Sequence, residues 1–426
     1  MTSNASYREA YVWVWLPGQL EPVVAGRLAR DGGNLLFNYG RSYLAHKDAI
    51  SLYEPELPLQ AGLLPLPAGL SMPNCLRDAA PDAWGRRVII NRRLGAKVGD
   101  AEPTDLDELT YLLESGSDRI GALDFQVSPS KYTPRLGAAA SLAELLDATR
   151  LVEAGTPLTP ELDAALLHGS SIGGARPKAL IEDGDGKYIA KFSSQGDLYS
   201  VVKAEFIAMR LAALAGIDAA PVRMTQAAGK DVLLIGRFDR RRISPGWERF
   251  AMVSALTLLG LDEMMARYAS YEELATIIRH RFTNPKATLR ELFARLVFNI
   301  LCGNTDDHAR NHAAFWNGET LSLTPAYDIC PQGRSGQEAS QAMLIDGEKR
   351  FSQLRLCLDA APNFLLPREE ATAIAAAQIA VIRDHWDAVC DEAGLSAVDR
   401  QLFWRRQFLN PFAFKGAPEV LTDRLG

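Results

Sequence analysis

The sequence has few cysteines, no long apolar run and no excess of positive charge. Its five cysteines are odd in number and widely scattered, which argues against a disulfide framework and indicates a reducing compartment. No window approaches the roughly 20 apolar residues of a membrane span, and the first residues lack the basic and apolar segments of a secretory signal. The net charge of −6 does not favour unaided nucleic-acid binding. We therefore expect a cytoplasmic protein without a membrane partner.

A polar loop that follows a predicted buried helix is the strongest candidate for a functional site. Apolar residues recur on one helical face from Leu289 to Leu301, and Gly303 predicts the end of that helix. The loop at 304–311, Asn-Thr-Asp-Asp-His-Ala-Arg-Asn, carries acids, amides and a histidine that no core accepts unpaired. Asp306 and Asn311 have the spacing found in catalytic loops of phosphoryl-transfer enzymes. There the aspartate accepts a hydroxyl proton and the asparagine holds magnesium.

A second metal ligand is predicted a short distance downstream. Two short apolar strands, 313–315 and 321–323, flank an Asn-Gly turn, which is a strong hairpin signal. The hairpin leads to Thr-Pro-Ala-Tyr-Asp-Ile at 324–329, so Asp328 stands where a kinase has its second metal-binding aspartate. Magnesium prefers one or two protein oxygens completed by nucleotide phosphates and water.

Two other interpretations of this loop stay open. His308 and His312 are four residues apart and could hold zinc with a nearby carboxylate. Ala309 stands where H-E-x-x-H hydrolases have their glutamate, and no cysteine pair supports zinc, so magnesium is the preferred metal. Asp306 or Asp307 could also be an ordinary helix cap.

A glycine-rich loop in the first half of the chain predicts a phosphate site. Its sequence at 170–178 is Ser-Ser-Ile-Gly-Gly-Ala-Arg-Pro-Lys, followed by a predicted strand pair, 179–182 and 187–192. Gly173 and Gly174 let backbone N–H groups approach phosphate oxygens, and Arg176 and Lys178 add positive charge. The loop matches neither common phosphate-binding pattern, so a plain turn explains the pattern about as well.

The elements after this loop resemble those that bind a nucleotide in kinases. Lys191 lies on the second predicted strand, and Glu205 lies in a helix predicted from Ser200 to Ala215. A strand lysine paired with a helix glutamate fixes the α- and β-phosphates in kinases, although surface Lys and Glu residues are common. An apolar strand at 232–235 then runs into Gly236, Arg237 and Phe238. Backbone groups there could contact adenine while Phe238 packs on it, although core packing is its usual role.

Several of these segments, in this order, resemble the HipA family of bacterial serine/threonine kinase toxins. The similar segments are Gly-Gly-Ala-Arg-Pro-Lys at 173–178, Ile-Ala-Lys-Phe at 189–192, Arg-Phe-Asp-Arg at 237–240, the loop at 304–311 and Leu-Thr-Pro-Ala-Tyr-Asp-Ile at 323–329. The resemblance extends upstream to Pro-Asp-Ala-Trp-Gly-Arg at 81–86 and Asp-Arg-Ile-Gly-Ala at 118–122. It covers nearly the whole chain.

The resemblance implies an α+β, two-lobed fold related to protein and phosphoinositide kinases. It divides the chain into a mixed N-terminal subdomain at 1–128, a lobe with the glycine-rich loop and strand lysine at 129–238, and a mainly helical lobe at 239–426. The implied cofactors are ATP and Mg²⁺.

The resemblance also assigns roles to residues. Asp306 is the catalytic base, Lys191 is a catalytic residue that binds nucleotide phosphate, and Asn311 and Asp328 hold the metal. Ser171, or less favourably Ser170, is the autophosphorylation site whose modification expels the loop and silences the enzyme. The implied nucleotide site is made of Gly173, Gly174, Ala175, Arg176, Lys178, Lys191, Gly236, Arg237, Phe238, His308, Arg310, Asn311, Tyr327 and Asp328.

Partners follow from the same resemblance. Family members are toxins of type II toxin-antitoxin pairs that bind a small helix-turn-helix antitoxin, HipB, which contacts operator DNA. They can phosphorylate an aminoacyl-tRNA synthetase and so halt translation. Two rival classes stay open: a small-molecule or lipid kinase on the same fold, and a non-catalytic kinase-like subunit that serves in transcriptional autoregulation.

Overall fold

A computed structural model describes residues 7–94, 106–138, 140–184, 186–194, 196–334, 336 and 338–423. The chain divides into two compact units, each built from separate stretches of sequence. The first unit contains Met1–Gly196, Thr225–Val253 and Phe315–Glu319, and the second contains Asp197–Met224, Ser254–Ala314 and Thr320–Gly426. Among the described residues, no helix combines the length and apolar character needed to cross a membrane.

The strands are short and concentrate in the first part of the chain. In chain order they are β1 Glu9–Val14, β2 Val23–Asp31, β3 Asn34–Tyr39, β4 Leu123–Gln126, β5 Lys178–Asp183, β6 Gly186–Phe192, β7 Val222–Ala227, β8 Lys230–Gly236, β9 Arg240–Ile243, β10 Gly246–Arg249, β11 Met252–Ser254, β12 Ala313–Trp316 and β13 Leu321–Leu323.

The longest helices lie in the second half of the chain. The helices are α1 Arg41–Leu44, α2 Asn74–Arg77, α3 Ala83–Leu94, α4 Glu108–Glu114, α5 Leu142–Glu153, α6 Pro160–Leu166, α7 Val201–Leu214, α8 Ala255–Leu258, α9 Tyr271–Arg281, α10 Pro285–Cys302, α11 Leu354–Ala360, α12 Arg368–Glu392, α13 Ala397–Phe403 and α14 Glu419–Thr422. Short 3-10 turns include Leu167–Gly169 and Ala309–Asn311.

The N-terminal sheet has the strand order β3-β2-β1-β4, and the paired strands are antiparallel. Its core side chains, such as Val12, Leu28, Phe37 and Phe125, are completely buried. Gly26 is required by close packing, because a Cβ there would lie 2.2 Å from the Asn38 carbonyl oxygen.

A second sheet in the order β5-β6-β8-β7 follows the glycine-rich loop. One face packs on a core that includes Ala179, Ala190 and Phe192 together with Trp84 of α3. Leu145, Leu146 and Val152 of α5 belong to the same core. The stretch between Pro129 and Pro160 therefore contributes a 12-residue core helix to the first unit.

The second unit is built around α10, an 18-residue helix. All the apolar positions that predict its buried face are buried, from Leu289 to Leu301. Gly303 ends the helix with φ +74°, and its N–H bonds back to the Asn299 and Ile300 carbonyls. A Cβ on Gly303 would lie 2.6 Å from the Gln407 carbonyl oxygen, so a larger residue would clash. This ending delivers the chain into the polar loop at 304–311.

Candidate functional site

The polar loop of the second unit is anchored at both of its ends. Asn304 donates from Nδ2 to the Asn299 side chain over 3.0 Å, and its backbone N–H bonds to the Asn299 carbonyl. At the other end the His312 carbonyl accepts the N–H of Ala255 over 2.7 Å. Within the loop, the N–H of Asn311 bonds to the His308 carbonyl over 2.8 Å. The loop is therefore a defined structure and not a loose connection.

Asp306 and Asp328 influence each other electrostatically. Asp306 is exposed, yet partial burial of its carboxyl raises its pKa, and the charges of Asp328 and Asp307 raise it further while His308 opposes them. A divalent cation would relieve this repulsion between like charges. The donor set fits magnesium, which proteins bind through one or two carboxylates plus phosphate and water oxygens.

Asn311 is oriented by its own loop. Its Nδ2 donates to the Asp306 carbonyl oxygen over 3.2 Å, which turns the amide oxygen Oδ1 away from that bond. Asn311 is 8% exposed, so its amide is held in a buried setting. The amide oxygen is the atom that would bind a metal ion.

The segment that carries Asp328 is held by backbone contacts within the second unit. Ala326 exchanges two backbone hydrogen bonds with the segment 218–220, of 2.7 and 2.9 Å. The buried Arg295 guanidinium donates to the carbonyls of Thr324 and Asp218. Asp328 itself has φ +58°, a left-handed conformation that costs a non-glycine residue about 1 kcal/mol. The contacts of Thr324 and Ala326 fix the segment immediately before Asp328.

The zinc interpretation is not supported by the structure. His312 directs Nε2 to Asp307 Oδ1 at 3.0 Å and to the Tyr271 hydroxyl at 3.2 Å. In the described part of the chain, no group of three or more His, Cys, Asp or Glu side chains is arranged to hold a metal ion. His312 is therefore part of a buried hydrogen-bond group, which the sequence did not reveal.

The segment 81–86, Pro-Asp-Ala-Trp-Gly-Arg, contacts the glycine-rich loop of the first unit. Asp82 accepts the Gly174 N–H over 2.7 Å, and the Trp84 indole donates to the Lys178 carbonyl over 3.0 Å. Gly85 packs so closely that a Cβ would lie 2.1 Å from the Ser170 carbonyl oxygen. The sequence did not reveal these contacts, because residues more than 80 positions apart leave no local pattern when they pair.

Lys178 and Lys191 are directly opposite each other in the β5–β6 ladder. Residues opposite one another in an antiparallel pair share a face, and like charges in this arrangement are unfavourable. Both lysines are buried, on the face opposite Ala179 and Ala190, which pack in the core. The Lys178 ammonium donates to the Gly173 carbonyl. The arrangement concentrates positive charge beside the glycine-rich loop, as expected of an anion site.

The two candidate serines differ in their surroundings. Ser170 is fully buried; its hydroxyl donates to the Leu167 carbonyl over 2.7 Å and accepts the Gly116 N–H over 3.0 Å. The Ser171 hydroxyl is also buried but has no hydrogen-bond partner among the described residues. Phosphorylation of either serine therefore requires the loop to leave this conformation.

Arg237 has a structural role that the sequence did not predict. Its guanidinium donates to both Asp239 oxygens, to the Asp118 carbonyl and carboxylate, and to the Arg119 carbonyl. All five of its N–H donors can be accounted for by these bonds. Its side chain is therefore not the part of Arg237 that would contact a nucleotide, and any such contact would come from its backbone.

Gly236 and Phe238, on either side of Arg237, have backbone or ring contacts within the first unit. Gly236 ends β8, opposite Tyr188, and Phe238 packs edge-on against Phe315 at a ring distance of 6.1 Å. A contact between these residues and adenine stays a prediction.

The remaining predicted site residues have the following surroundings. Ala175 is exposed, Arg310 pairs with Glu263, and the Tyr327 hydroxyl donates to the Arg310 carbonyl over 2.6 Å. Glu205 is buried in α7. The pairing of Lys191 with Glu205, and the nucleotide contacts of Ala175, Arg176, His308, Arg310 and Tyr327, stay predictions.

Comparison with known proteins identifies the family. The HipA N-terminal domain matches residues 14–126, and the HipA-like C-terminal domain matches residues 170–386, just over half of the chain. The chain therefore belongs to the HipA family.

Individual relatives are distant in sequence. The chain is 26% identical to a putative kinase, Y4mE, of Sinorhizobium fredii over 348 residues, which are 74% of this chain and 76% of that protein. It is 29% identical to the serine/threonine-protein kinase toxin HipA of Shewanella oneidensis over 181 residues, 38% of this chain and 40% of that one.

A solved structure shows the fold. HipA of Shewanella oneidensis, in a complex with HipB and its operator DNA, matches with a TM-score of 0.69 and 20% identity over 97% of this chain and 99% of that chain. The fold class predicted from the sequence, α+β and kinase-like with an extra N-terminal subdomain, is confirmed.

Proposed function

We propose that this protein is an ATP- and Mg²⁺-dependent serine/threonine protein kinase that acts as a HipA-like toxin. The observation that carries the proposal is the loop at 304–311, in which Asp306 is exposed and influenced by Asp328 while Asn311 is oriented by the Asp306 carbonyl. Membership of the HipA family and similarity to proteins named as kinases support it.

In the proposed reaction, a substrate hydroxyl oxygen forms a bond to the γ-phosphorus while the bond from that phosphorus to the β–γ bridging oxygen breaks. Asp306 accepts the hydroxyl proton, and ADP leaves with the bridging oxygen. Asn311 and Asp328 would hold magnesium, which neutralises phosphate charge when it is bound. Lys178 and Lys191, which lie opposite each other beside the glycine-rich loop, would stabilise negative charge on the nucleotide phosphates.

The glycine-rich loop has two proposed roles. Gly173 and Gly174 would approach phosphate oxygens through their backbone N–H groups. Ser171 would be the autophosphorylation site, with Ser170 less favourable because its hydroxyl is engaged in two hydrogen bonds. Because Ser171 is buried, its modification would expel the loop and silence the enzyme.

The proposed partners follow from the relatives. A helix-turn-helix antitoxin similar to HipB would bind this protein, and operator DNA would be contacted mainly through the antitoxin. The proposed substrate is a protein, for example an aminoacyl-tRNA synthetase, whose phosphorylation would inhibit translation and growth. We place this activity in the cytoplasm.

The test is transfer of labelled phosphate from ATP with magnesium to the protein itself and to lysate proteins or extracted metabolites. Wild-type protein should label protein, whereas Asp306→Ala and Asp328→Ala should label nothing with their folding intact. Labelled metabolites without labelled protein would favour a small-molecule kinase. Absence of any ATP turnover in the wild type would favour a non-catalytic subunit.

A further inference from the structure

The segment around Asp306 contains a buried side-chain group that the proposed chemistry does not use. The Asp307 carboxylate accepts a hydrogen bond from the Tyr271 hydroxyl through Oδ2 and lies 3.0 Å from His312 Nε2 through Oδ1. The Tyr271 hydroxyl lies 3.2 Å from the same His312 nitrogen. These three side chains, which we call the loop clamp, are 0–3% exposed.

The loop clamp connects positions next to the proposed functional groups. Asp307 follows Asp306, and His312 follows Asn311. Tyr271 is the first residue of α9, and its backbone N–H bonds to the Leu344 carbonyl over 3.0 Å. The clamp therefore joins both ends of the segment 306–311 to one fixed point at the start of a helix.

Burial makes this connection stiff. Isolated carboxylates are costly to bury, so Asp307 stays buried only while its partners supply hydrogen bonds and charge. The Tyr271 and His312 rings pack edge-on, with centroids 5.5 Å apart, which limits how either ring can turn. Burial raises the pKa of Asp307, but His312 and Tyr271 outweigh burial and hold it below its usual value.

We propose that Asp307, His312 and Tyr271 are positioning residues for phosphoryl transfer. The inference rests on the proposed function, because Asp306 and Asn311 are the groups that the clamp would position. Asp307 is buried while Asp306 is exposed, so fixing Asp307 also fixes the side of the chain on which the Asp306 carboxylate emerges. Small displacements of reacting groups lower rates by up to about 100-fold.

The test compares His312→Gln with His312→Leu. The glutamine Nε2 can donate to Asp307 as the histidine Nε2 does, whereas leucine fills similar space without a donor. We expect His312→Leu to lower kcat by about 10- to 100-fold and to raise the magnesium concentration for half-maximal activity, with KM for ATP within about twofold. His312→Gln should recover most of kcat. Tyr271→Phe, which keeps the ring, should give a smaller loss of kcat.

Two controls separate positioning from stability. His385→Leu changes an exposed histidine on α12 and should leave kcat unchanged. Amide hydrogen exchange over residues 305–312 should become faster in His312→Leu and stay near the wild-type rate in His312→Gln.

The possible outcomes are distinct. Equal losses of kcat in the glutamine and leucine variants, or unchanged loop exchange in His312→Leu, would overturn the positioning role. If His312→Leu fails to fold, Tyr271→Phe with wild-type kcat and loop exchange would overturn it. A wild-type protein that transfers no phosphate would contradict the proposed function. Amide exchange over residues 305–312 would then still test the clamp, and an exchange rate unchanged in His312→Leu would overturn its role in holding the loop.

Discussion

Substitution of Asp118 by asparagine should destabilise the first unit strongly. The Asp118 Oδ1 accepts from Arg237 Nη1 at 3.0 Å and from Arg240 Nη2 at 2.9 Å, and Oδ2 accepts from Lys187 Nζ at 2.7 Å. The two arginine side chains are 1% exposed. Together with Asp239, which bonds to both arginines, the group contains two carboxylates and three cations. Loss of the Asp118 carboxylate leaves Asp239 as the one carboxylate of this group to compensate two buried arginines.

The expected magnitude follows from this burial. Breaking a buried ion pair by removing one partner costs about 3–5 kcal/mol. For a unit of this size each kcal/mol lowers Tm by about 2–4 °C, so Asp118→Asn should lower Tm by about 6–20 °C. The matched control is Asp147→Asn. Its carboxylate is 62% exposed and pairs with the partly exposed Arg150, so this change should cost less than about 1 kcal/mol.

The pH dependence of this effect has a definite sign. Burial raises the pKa of Asp118, but Arg237, Arg240 and Lys187 outweigh burial and hold it well below its usual value. Because the folded-state pKa is depressed, the contribution is present above the unfolded-state pKa of about 3.9 and is lost as the pH falls through the folded-state value. The difference in Tm between Asp147→Asn and Asp118→Asn should therefore be constant at pH 5–8. It should shrink in stronger acid. A loss for Asp118→Asn no larger than that for Asp147→Asn would refute this reasoning.

Three further predictions concern the glycine-rich loop. Ser171→Ala should leave the free energy of unfolding unchanged within about 0.5 kcal/mol, whereas Ser170→Ala should cost about 1–3 kcal/mol because it leaves the Gly116 N–H unsatisfied. Urea denaturation measures both, and equal losses would contradict the difference in surroundings. Gly85→Ala should disturb the loop, because the new Cβ would overlap the Ser170 carbonyl. Limited proteolysis should therefore cut this variant near residue 170 faster than the control Gly33→Ala, whose Cβ would meet open space. Lys191→Met should weaken ATP binding measured by calorimetry by tenfold or more, and an unchanged Kd would remove this lysine from the proposed phosphate site.

Local signals in the sequence predicted most of the elements near the site. The apolar face of α10, its end at Gly303 and the bounds of β13 are readable from spacing and turn residues, because these features depend on neighbouring residues. The positions of Asp306, Asn311 and Asp328 were predicted from motif spacing alone. Their roles stay predictions.

Contacts between distant residues could not be predicted. Tyr271 is 36 residues from Asp307, and Arg237 is 119 residues from Asp118. Side chains that pair across such separations leave no periodic trace in the sequence. For this reason the sequence did not reveal that the Arg237 guanidinium belongs to a buried ion network. The same reason hid the contacts of Asp82 and Trp84 with the glycine-rich loop.

The most direct measurement is the intact mass of the protein after incubation with ATP and magnesium, for the wild type and for Asp306→Ala. The proposed kinase activity predicts a gain of one phosphate group in the wild type, located at Ser171 by peptide mapping, and no gain in the variant. Equal phosphate incorporation in both proteins would contradict the assignment of Asp306 as the base.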